Sequence, residues 1–296
     1  PAFEVCPALG EEKTDFSLPA CEVVKSLAFH KAKEVAALPS SLGAAVLGAH
    51  MEAPFLCEKY KGAQLGECLM NPTVEAYEAM TRGTDCVKMM TLAPELPGAL
   101  DMIAYLRKKG VVTCAAHSDA TAEDVHAAAD RGLTQITHLF NAQSPLHHRR
   151  PGVPGAGLAD DRIIVQVIAD GLHLHPDVLR VAALCKGAKG MALISDSMEA
   201  AGMPDGQYDL GGQAVFVKNG EARLADGVIA GSTLVLHRAI RNMITLAKMP
   251  PETVIPMATS TPADSVGAKG YGRIEPGACG MLTLMDAGWN LAGVIA

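Results

Sequence analysis

Three residues that can bind a divalent metal stand directly after apolar, β-rich runs of the chain. Glu52 follows the run AAVLGAH, His117 ends the run VVTCAAH and His138 ends the run GLTQITH. One carboxylate and two neutral imidazoles form a ligand set that suits a divalent ion with an open coordination position. A carboxylate at the end of a buried strand is costly unless it is paired, protonated or metal-bound. The pattern therefore indicates a metal-dependent hydrolase.

A fourth apolar run, MALIS, ends on Asp196, and all such runs alternate with helical patterns. Polar residues at successive strand ends of a βα-alternating chain are how a (β/α)8 barrel builds its active site. We therefore predict a distorted (β/α)8 barrel. Its predicted strands are 44–50, 86–92, 111–116, 133–137, 163–168 and 191–195. Its predicted helices are 21–38, 73–82, 97–109, 121–132, one from Pro176 onward, 233–248, 251–258 and 262–266, with a loop at 141–160.

Two segments interrupt this alternation. Residues 202–231 are rich in Gly and Asp with short alternating runs, which predicts a β excursion from the barrel. Residues 273–286 resemble a β-turn-β piece of a small accessory sheet. We therefore expect a barrel over residues 1–271, including the excursion, and the C-terminal part of a small β accessory domain over residues 272–296.

Composition limits the possible partners. The net charge is −7, which argues against a nucleic-acid partner, and the apolar runs are shorter than a membrane span. The eight cysteines form no Cys-x-x-Cys pair, and the first residues are acidic rather than basic. These features predict a cytoplasmic protein with reduced thiols and neither a nucleic-acid nor a membrane partner.

Other histidines need weighing against these three. His173 and His175 have the spacing of a metal pair, but His175 directly precedes Pro176, which places it at a helix N-cap. His173 stays a candidate site residue. The loop His-His-Arg-Arg at 147–150 would by default be solvated, and it suits a ligand or partner contact equally well. The motif His50-x-Glu52 echoes the zinc deaminases, but the Pro-Cys-x-x-Cys motif that they need is absent.

The motifs together resemble a known family. HMEAPF, KGAQ, TLAPE, AAHSDAT, THLFNAQSPLHHRRPG, IADGLH, ISDSMEAAG, VIAGSTL and MATSTPA occur in the same order, from about residue 44 to 286, as in the N-acetylglucosamine-6-phosphate deacetylases of the amidohydrolase superfamily. The resemblance implies that Glu52, His117 and His138 bind one catalytic divalent metal. Zinc is the expected metal, with iron or cobalt as alternatives. It also implies that Asp196 is the catalytic acid–base residue.

The same resemblance implies the substrate contacts. Gln64, Asn141, Ala142 and His173 match positions that contact the amino sugar. Arg149 matches the loop arginine that reaches the phosphate in the neighbouring subunit. The resemblance thus implies a homodimer that acts on a small amino-sugar phosphate.

The chain also departs from the family pattern. Ala53 replaces the usual glycine of His-x-Glu-Gly-Pro, Gln143 replaces a common methionine and Arg150 a common glutamate. Gln64 stands where some members carry histidine. The first barrel strand, with its His-x-His, has no match. The chain is expected to open within the second strand, and residues 1–20 match the family poorly.

The implied reaction is hydrolysis of N-acetylglucosamine 6-phosphate to glucosamine 6-phosphate and acetate. The metal would polarise the acetyl carbonyl and activate water, while Asp196 would transfer the proton. Two alternatives stay open at this point. One is another amidohydrolase activity, on a cyclic amide or an unphosphorylated amino sugar. The other is a catalytically impaired barrel, which the missing first strand and Ala53 suggest.

Overall fold

The fold is given by a computed structural model that describes residues 45–295. The predicted helix 21–38 and the partial strand within residues 1–20 lie outside the described residues. Six parallel strands form the central sheet, and their order in space follows their order in the chain. They are β1 Ala49–Glu52, β2 Val87–Leu92, β3 Val112–Ala115, β4 Leu133–Ile136, β5 Ile164–Ile168 and β6 Met191–Ile194. All six predicted strands are confirmed. Strand β1 begins five residues after the start of the predicted strand 44–50, and it includes Glu52.

Eight α-helices alternate with these strands or follow them in the described part of the chain. They are α1 Val74–Met80, α2 Ala99–Lys109, α3 Ala122–Arg131, α4 Gly152–Ala159, α5 Pro176–Gly190, α6 Leu236–Thr245, α7 Pro251–Met257 and α8 Ser260–Ser265. Two predicted helix starts are confirmed in detail. Thr121 and Asp124 form a reciprocal capping box at the start of α3. The ring of His175 accepts the backbone N–H of Asp177, so His175 is the N-cap of α5.

Helix α4 corrects the prediction of a loop over residues 141–160. The helix contains Gly152, Gly155 and Gly157, and the structure shows a packing reason for the last of them. A Cβ atom added at Gly157 would lie 2.5 Å from the Ile136 side chain and 3.3 Å from that of Val165. Helix α4 therefore approaches strands β4 and β5 closely. The sequence did not predict this helix, because small residues replace the larger apolar residues of an amphipathic helix.

The two faces of the sheet differ in chemistry. One face packs against the helices in a large apolar core that includes Met90, Ile103 and Leu179. On the opposite face, neighbouring strands pair Glu52 with Thr91, Thr91 with Cys114 and Cys114 with Gln135. Residues paired in this way share a face, so these polar residues form one row across the sheet. Glu52 lies at the end of this row.

The predicted β excursion is confirmed as a separate antiparallel sheet. Its three strands are β7 Gly206–Leu210, β8 Gln213–Lys218 and β9 Glu221–Leu224. This sheet has its own small core around Val215, Val217 and Ala222. Ala63, from the loop after β1, packs against that core. The excursion therefore contacts a segment that lies beside the predicted metal ligands.

The predicted β-turn-β piece at 273–286 is confirmed in part, because only the first strand of the observed hairpin lies within it. The structure places an antiparallel hairpin further along, between β10 Leu282–Met285 and β11 Leu291–Ile295. Pro276, Gly277 and Gly280 interrupt the earlier segment, whereas Asp286 closes the real turn by accepting the backbone N–H groups of Gly288 and Asn290. The proposed boundary between residues 271 and 272 stays a prediction.

Two absences concern the described residues alone. Within residues 45–295, none of the helices combines the length and apolar character that crossing a bilayer requires. No disulfide joins the cysteines of this same part of the chain.

Candidate metal centre and active site

The three predicted metal ligands lie at the carboxyl ends of three strands. Glu52 is the last residue of β1, and His117 and His138 each follow their strands, β3 and β4, by two positions. Because parallel strands end at the same edge of a sheet, the three side chains meet there. One potential ligand atom from each residue lies within 4.8 Å of the other two.

The imidazoles approach the carboxylate with the same type of nitrogen. His117 Nε2 lies 2.9 Å from Glu52 Oε1, and His138 Nε2 lies 3.7 Å from the same oxygen. The two imidazole rings are nearly perpendicular, with 4.7 Å between their centroids. A single Glu52 oxygen is thus the point on which both histidines converge.

Backbone carbonyls fix the orientation of both rings. His117 Nδ1 lies 2.8 Å from the Tyr60 carbonyl oxygen, and His138 Nδ1 lies 3.1 Å from that of Asn141. A carbonyl oxygen can only accept, so each Nδ1 carries a proton, and each Nε2 is left on the side of Glu52, where it can bind a metal ion once it carries no proton. Metal-binding histidines are characteristically held this way, with the second ring nitrogen donating to a carbonyl or carboxylate.

The two Nε2 atoms and the Glu52 oxygen need a positive charge beside them. His138 Nε2 is buried and has no hydrogen-bond partner among the described residues. A carboxylate oxygen can only accept, so an Nε2 atom that faces Glu52 needs either a proton of its own or a metal ion beside it. The residues therefore fit a divalent metal ion, which would satisfy all three ligands at once.

The pKa values of Glu52 and His138 also indicate that the site needs a positive charge. Burial raises the pKa of Glu52, but the adjacent imidazoles of His117 and His138 outweigh burial and hold it well below its usual value. Burial lowers the pKa of His138, but the neighbouring Glu52 carboxylate outweighs burial and raises it to about 9. A proton on His138 thus supplies the missing charge in the metal-free protein, and a metal would have to displace it.

A carboxylate that sequence reasoning missed holds the turn after β3. Glu95 accepts hydrogen bonds from the Ser118 hydroxyl and from the Asp119 backbone N–H, both at 2.7 Å. His117, next to Ser118, has a φ of +47°, which is unfavourable for a residue with a side chain. Glu95 therefore stabilises the strained turn that carries His117. Its only sequence signal was its place after β2, in the motif TLAPE.

Asp196 lies two positions after β6, near the same edge of the sheet. Its backbone has a φ of +48°, and its carbonyl oxygen accepts the Ser232 N–H at 2.8 Å. Although part of Asp196 is open to solvent, the protein around its carboxyl group raises the pKa, and the negative charge of Glu52 raises it further. A carboxyl group with a raised pKa keeps its proton to a higher pH than an ordinary aspartate, which suits a group that must both take and give a proton.

His173 is held by a second carboxylate that sequence reasoning did not select. His173 Nδ1 lies 2.6 Å from Asp170 Oδ2, and both side chains are at least nine-tenths buried. Asp170 Oδ1 also accepts the backbone N–H groups of Leu172 and His173. Burial raises the pKa of Asp170, but the bonds from His173 outweigh it and leave the pKa below its usual value. Asp170 therefore fixes both the ring and the backbone of His173. The signal was its spacing, three residues before the histidine.

The loop that contains Gln64 lies against the metal ligands. A Cβ atom added at Gly62 would lie 3.3 Å from the His117 ring and 3.9 Å from the Ala142 side chain. Strand β8 supports this loop, because Gln213 Nε2 donates to the Ala63 carbonyl oxygen at 2.6 Å. The structure thus brings the segment around Gln64 beside the site and does not show a contact between the Gln64 amide and the ligand atoms.

Arg149 lies apart from this cluster, on an exposed turn. Backbone bonds between His147 and Arg150 close the turn, and Arg149 Nη1 contacts His148 Nε2 at 2.7 Å. None of the hydrogen bonds within residues 45–295 connects Arg149 to the ligands at the strand ends. Within one copy of the chain, the structure therefore does not bring Arg149 into the site.

Comparison with known proteins identifies the family. The model of the amidohydrolase family matches residues 22–293, which is most of the chain. The chain belongs to the amidohydrolase family. A solved relative, a mutant of the N-acetyl-D-glucosamine-6-phosphate deacetylase from Mycobacterium smegmatis in complex with N-acetyl-D-glucosamine-6-phosphate, superposes with a TM-score of 0.84 at 32% identity. The match covers 93% of this chain and 72% of that one. The resemblance and the distorted-barrel fold with a small antiparallel sheet are both confirmed.

Two curated relatives differ in the sugar that they are named for. The N-acetylglucosamine-6-phosphate deacetylase of Vibrio furnissii is 41% identical over 251 residues, which cover 84% of this chain and 63% of the relative. The N-acetylgalactosamine-6-phosphate deacetylase of Escherichia coli O157:H7 is 38% identical over 251 residues, which cover 84% and 66%. The chain thus spans less than two thirds of the length of either relative.

Ala53 generates a prediction about stability. Its φ is +76°, a left-handed conformation that costs an alanine roughly 1–2 kcal/mol and a glycine almost nothing. Because glycine also loses more entropy on folding, we expect Ala53→Gly to stabilise the metal-free chain by a net of about 0.5–1 kcal/mol. Its thermal unfolding midpoint should rise by roughly 1–3 °C.

The control is Ala104→Gly, in the middle of helix α2, where glycine should lower the midpoint. Differential scanning calorimetry in the presence of a chelator measures both variants. An equal decrease in the two midpoints would contradict the strain assigned to Ala53.

Proposed function

We propose that this amidohydrolase removes the N-acetyl group of N-acetylglucosamine 6-phosphate, giving glucosamine 6-phosphate and acetate. The observation that carries the proposal is the convergence of His117 Nε2 and His138 Nε2 on one oxygen of Glu52. An acid–base candidate, Asp196, stands at the same edge of the sheet. The names of the deacetylase relatives support the choice of substrate.

Glu52, His117 and His138 would hold one divalent metal ion per chain. We propose zinc, because two imidazoles and a carboxylate are a ligand set that zinc commonly takes, with iron or cobalt as alternatives. Such an ion, when bound, polarises the acetyl carbonyl and makes water a better nucleophile.

Asp196 would transfer the proton. In the hydrolysis, a water oxygen forms a bond to the acetyl carbon and the bond from that carbon to the sugar nitrogen breaks. Asp196 would take the proton from the attacking water and then give it to the leaving amine. The raised pKa of its carboxyl group supports this double role, because the group must be a base first and an acid afterwards.

The remaining predicted residues would hold the sugar phosphate. Asn141 and Ala142 lie on the turn after His138, and Asp170 holds His173 in one orientation, so these groups are suited to binding the amino sugar. We propose that Gln64 adds a contact from the neighbouring loop. Arg149 would bind the phosphate of a second subunit, as the resemblance implies, since it lies on an exposed turn and no hydrogen bond among the described residues joins it to Glu52, His117 or His138. This arrangement requires a homodimer.

A second candidate substrate is N-acetylgalactosamine 6-phosphate. A relative named for that sugar is 38% identical to the chain, close to the 41% of the relative named for the glucose epimer. The two sugars carry the same amide and the same phosphate, so the metal ligands and Asp196 would serve both.

The direct test measures acetate release by the metal-loaded chain from both 6-phosphates and from unphosphorylated N-acetylglucosamine. We expect release from at least one 6-phosphate, with the unphosphorylated sugar a much poorer substrate. Elemental analysis should show one ion per chain, and chelation or Glu52→Ala should remove the ion and the activity. Absence of deacetylation by the loaded chain, full activity after verified metal removal, or two ions at full occupancy would each contradict the proposal.

Asp196→Asn tests the proton transfer. An amide cannot take the proton from water, so kcat should fall by roughly 10²- to 10⁴-fold while the metal content stays unchanged. Asp101→Asn is the matched control, since the Asp101 side chain is 88% exposed on helix α2, and it should keep wild-type activity. An Asp196→Asn rate within about threefold of wild type would exclude the role, because the typical effect is ~10² or more.

Arg149→Ala tests the phosphate contact. Loss of a charge-assisted bond should raise the KM for the 6-phosphate by roughly 10- to 100-fold and leave the KM for the unphosphorylated sugar nearly unchanged. Arg150→Ala makes the same charge change on the same turn and should have little effect. In proven mixed dimers, Arg149→Ala and Asp196→Asn subunits should restore part of the activity. Equal effects on both substrates, or no restoration, would count against a shared site.

A further inference from the structure

The turn over residues 137–143 carries both kinds of predicted site residue, a metal ligand and substrate contacts. It also has an unusual backbone. His138, Phe140 and Ala142 have φ values of +33°, +75° and +49°, all outside the region that residues with side chains prefer. A turn with three such residues does not keep its shape unless other groups hold it. The shape matters because it sets where His138 Nε2 lies.

The side chain of Gln143 spans this turn from inside the protein. Its Oε1 accepts the backbone N–H of Phe140 at 3.1 Å, and its Nε2 donates to the carbonyl oxygen of Thr137 at 2.9 Å. Gln143 is only 5% exposed, so neither backbone group would find water in its place. The amide thereby joins the end of β4 to the middle of the turn, on both sides of His138.

The backbone around Gln143 also joins the two histidine loops. Gln143 and Ser118 form a parallel β-bridge. Within it, Ser118 N–H donates to the Ala142 carbonyl at 3.2 Å, and Ser144 N–H donates to the Ser118 carbonyl at 2.9 Å. Ser118 directly follows His117. The peptide segment of Gln143 is therefore fixed to one histidine loop while its side chain holds the other.

We propose that Gln143 is a positioning residue, which sets the separation of His138 Nε2 from Glu52 and presents Asn141 and Ala142 to the substrate. A methionine side chain would fill nearly the same volume and could form neither hydrogen bond. This chain therefore holds its turn with bonds that methionine cannot provide. The part of the inference that concerns Asn141 and Ala142 rests on the proposed function, whereas the part that concerns His138 rests only on the metal site.

The test compares Gln143→Met with Gln166→Met. Gln166 is also 5% exposed, and its side chain contacts Gln135 and Met89 inside the sheet. Only its backbone carbonyl, which the substitution keeps, accepts the N–H of Leu139 in the turn. Both variants lose buried amide bonds, so both should lower the unfolding midpoint of the zinc-free chain. Only Gln143→Met should weaken zinc binding, by about 10- to 100-fold in competition with a chromophoric chelator, as losses of residues that orient metal ligands typically do. At saturating zinc, its kcat should fall and its KM for the 6-phosphate should rise.

A second variant, Gln143→Glu, keeps an acceptor for Phe140 N–H and loses the donor to Thr137. It serves if the methionine variant does not fold, and it too should bind zinc at least about tenfold more weakly than wild type. Zinc affinity within twofold of wild type in the folded variant, or an equal loss in Gln166→Met, would overturn the inference. The zinc titration needs no turnover, so a chain that binds zinc but does not deacetylate would refute the proposed function and leave this inference standing.

Discussion

The Nε2 atoms of His117 and His138 converge on the same oxygen of Glu52, and this buried negative charge needs a positive charge beside it, either a proton on an imidazole or a metal ion. Much of the surrounding structure keeps these atoms in that arrangement. Carbonyl oxygens of Tyr60 and Asn141 prevent the rings from turning over. The raised pKa of His138 expresses the same need, because without a metal a proton on His138 supplies the positive charge beside Glu52.

The strands and the meeting of Glu52, His117 and His138 at one edge of the sheet were predictable because their signals are local. A short apolar run that ends on His117 or His138 specifies a buried strand and the edge at which its polar residue lies. Parallel strands then bring distant residues such as Glu52 to the same edge without further information. The start of the predicted helix 121–132 was predictable for the same reason, since the capping-box hydrogen bonds of Thr121 and Asp124 join residues three positions apart.

The residues that support the loops of His117 and His138 could not be predicted from the sequence, because their hydrogen-bond partners are distant in the chain. Glu95 contacts Ser118 across 23 positions, and nothing beside Glu95 in the sequence indicates that partner. Helix α4 has little apolar periodicity, because close approach to β4 requires glycine where an amphipathic helix would carry a larger residue. The hairpin at 282–295 depends on a turn that Asp286 closes, and the apolar pattern before it misdirected the prediction.

The hydrogen bond from Gln213 to Ala63 gives the excursion a part in the chemistry of the barrel. The three-stranded sheet is far from this loop in the sequence, since about 150 positions separate the two residues. Yet the loop that it holds supplies the carbonyl of Tyr60, and that carbonyl orients His117. In a chimaera that exchanged this sheet with a relative, the graft would have to reproduce a donor at the position of Gln213. The excursion is therefore not a freely exchangeable module, because the loop that it supports also orients His117.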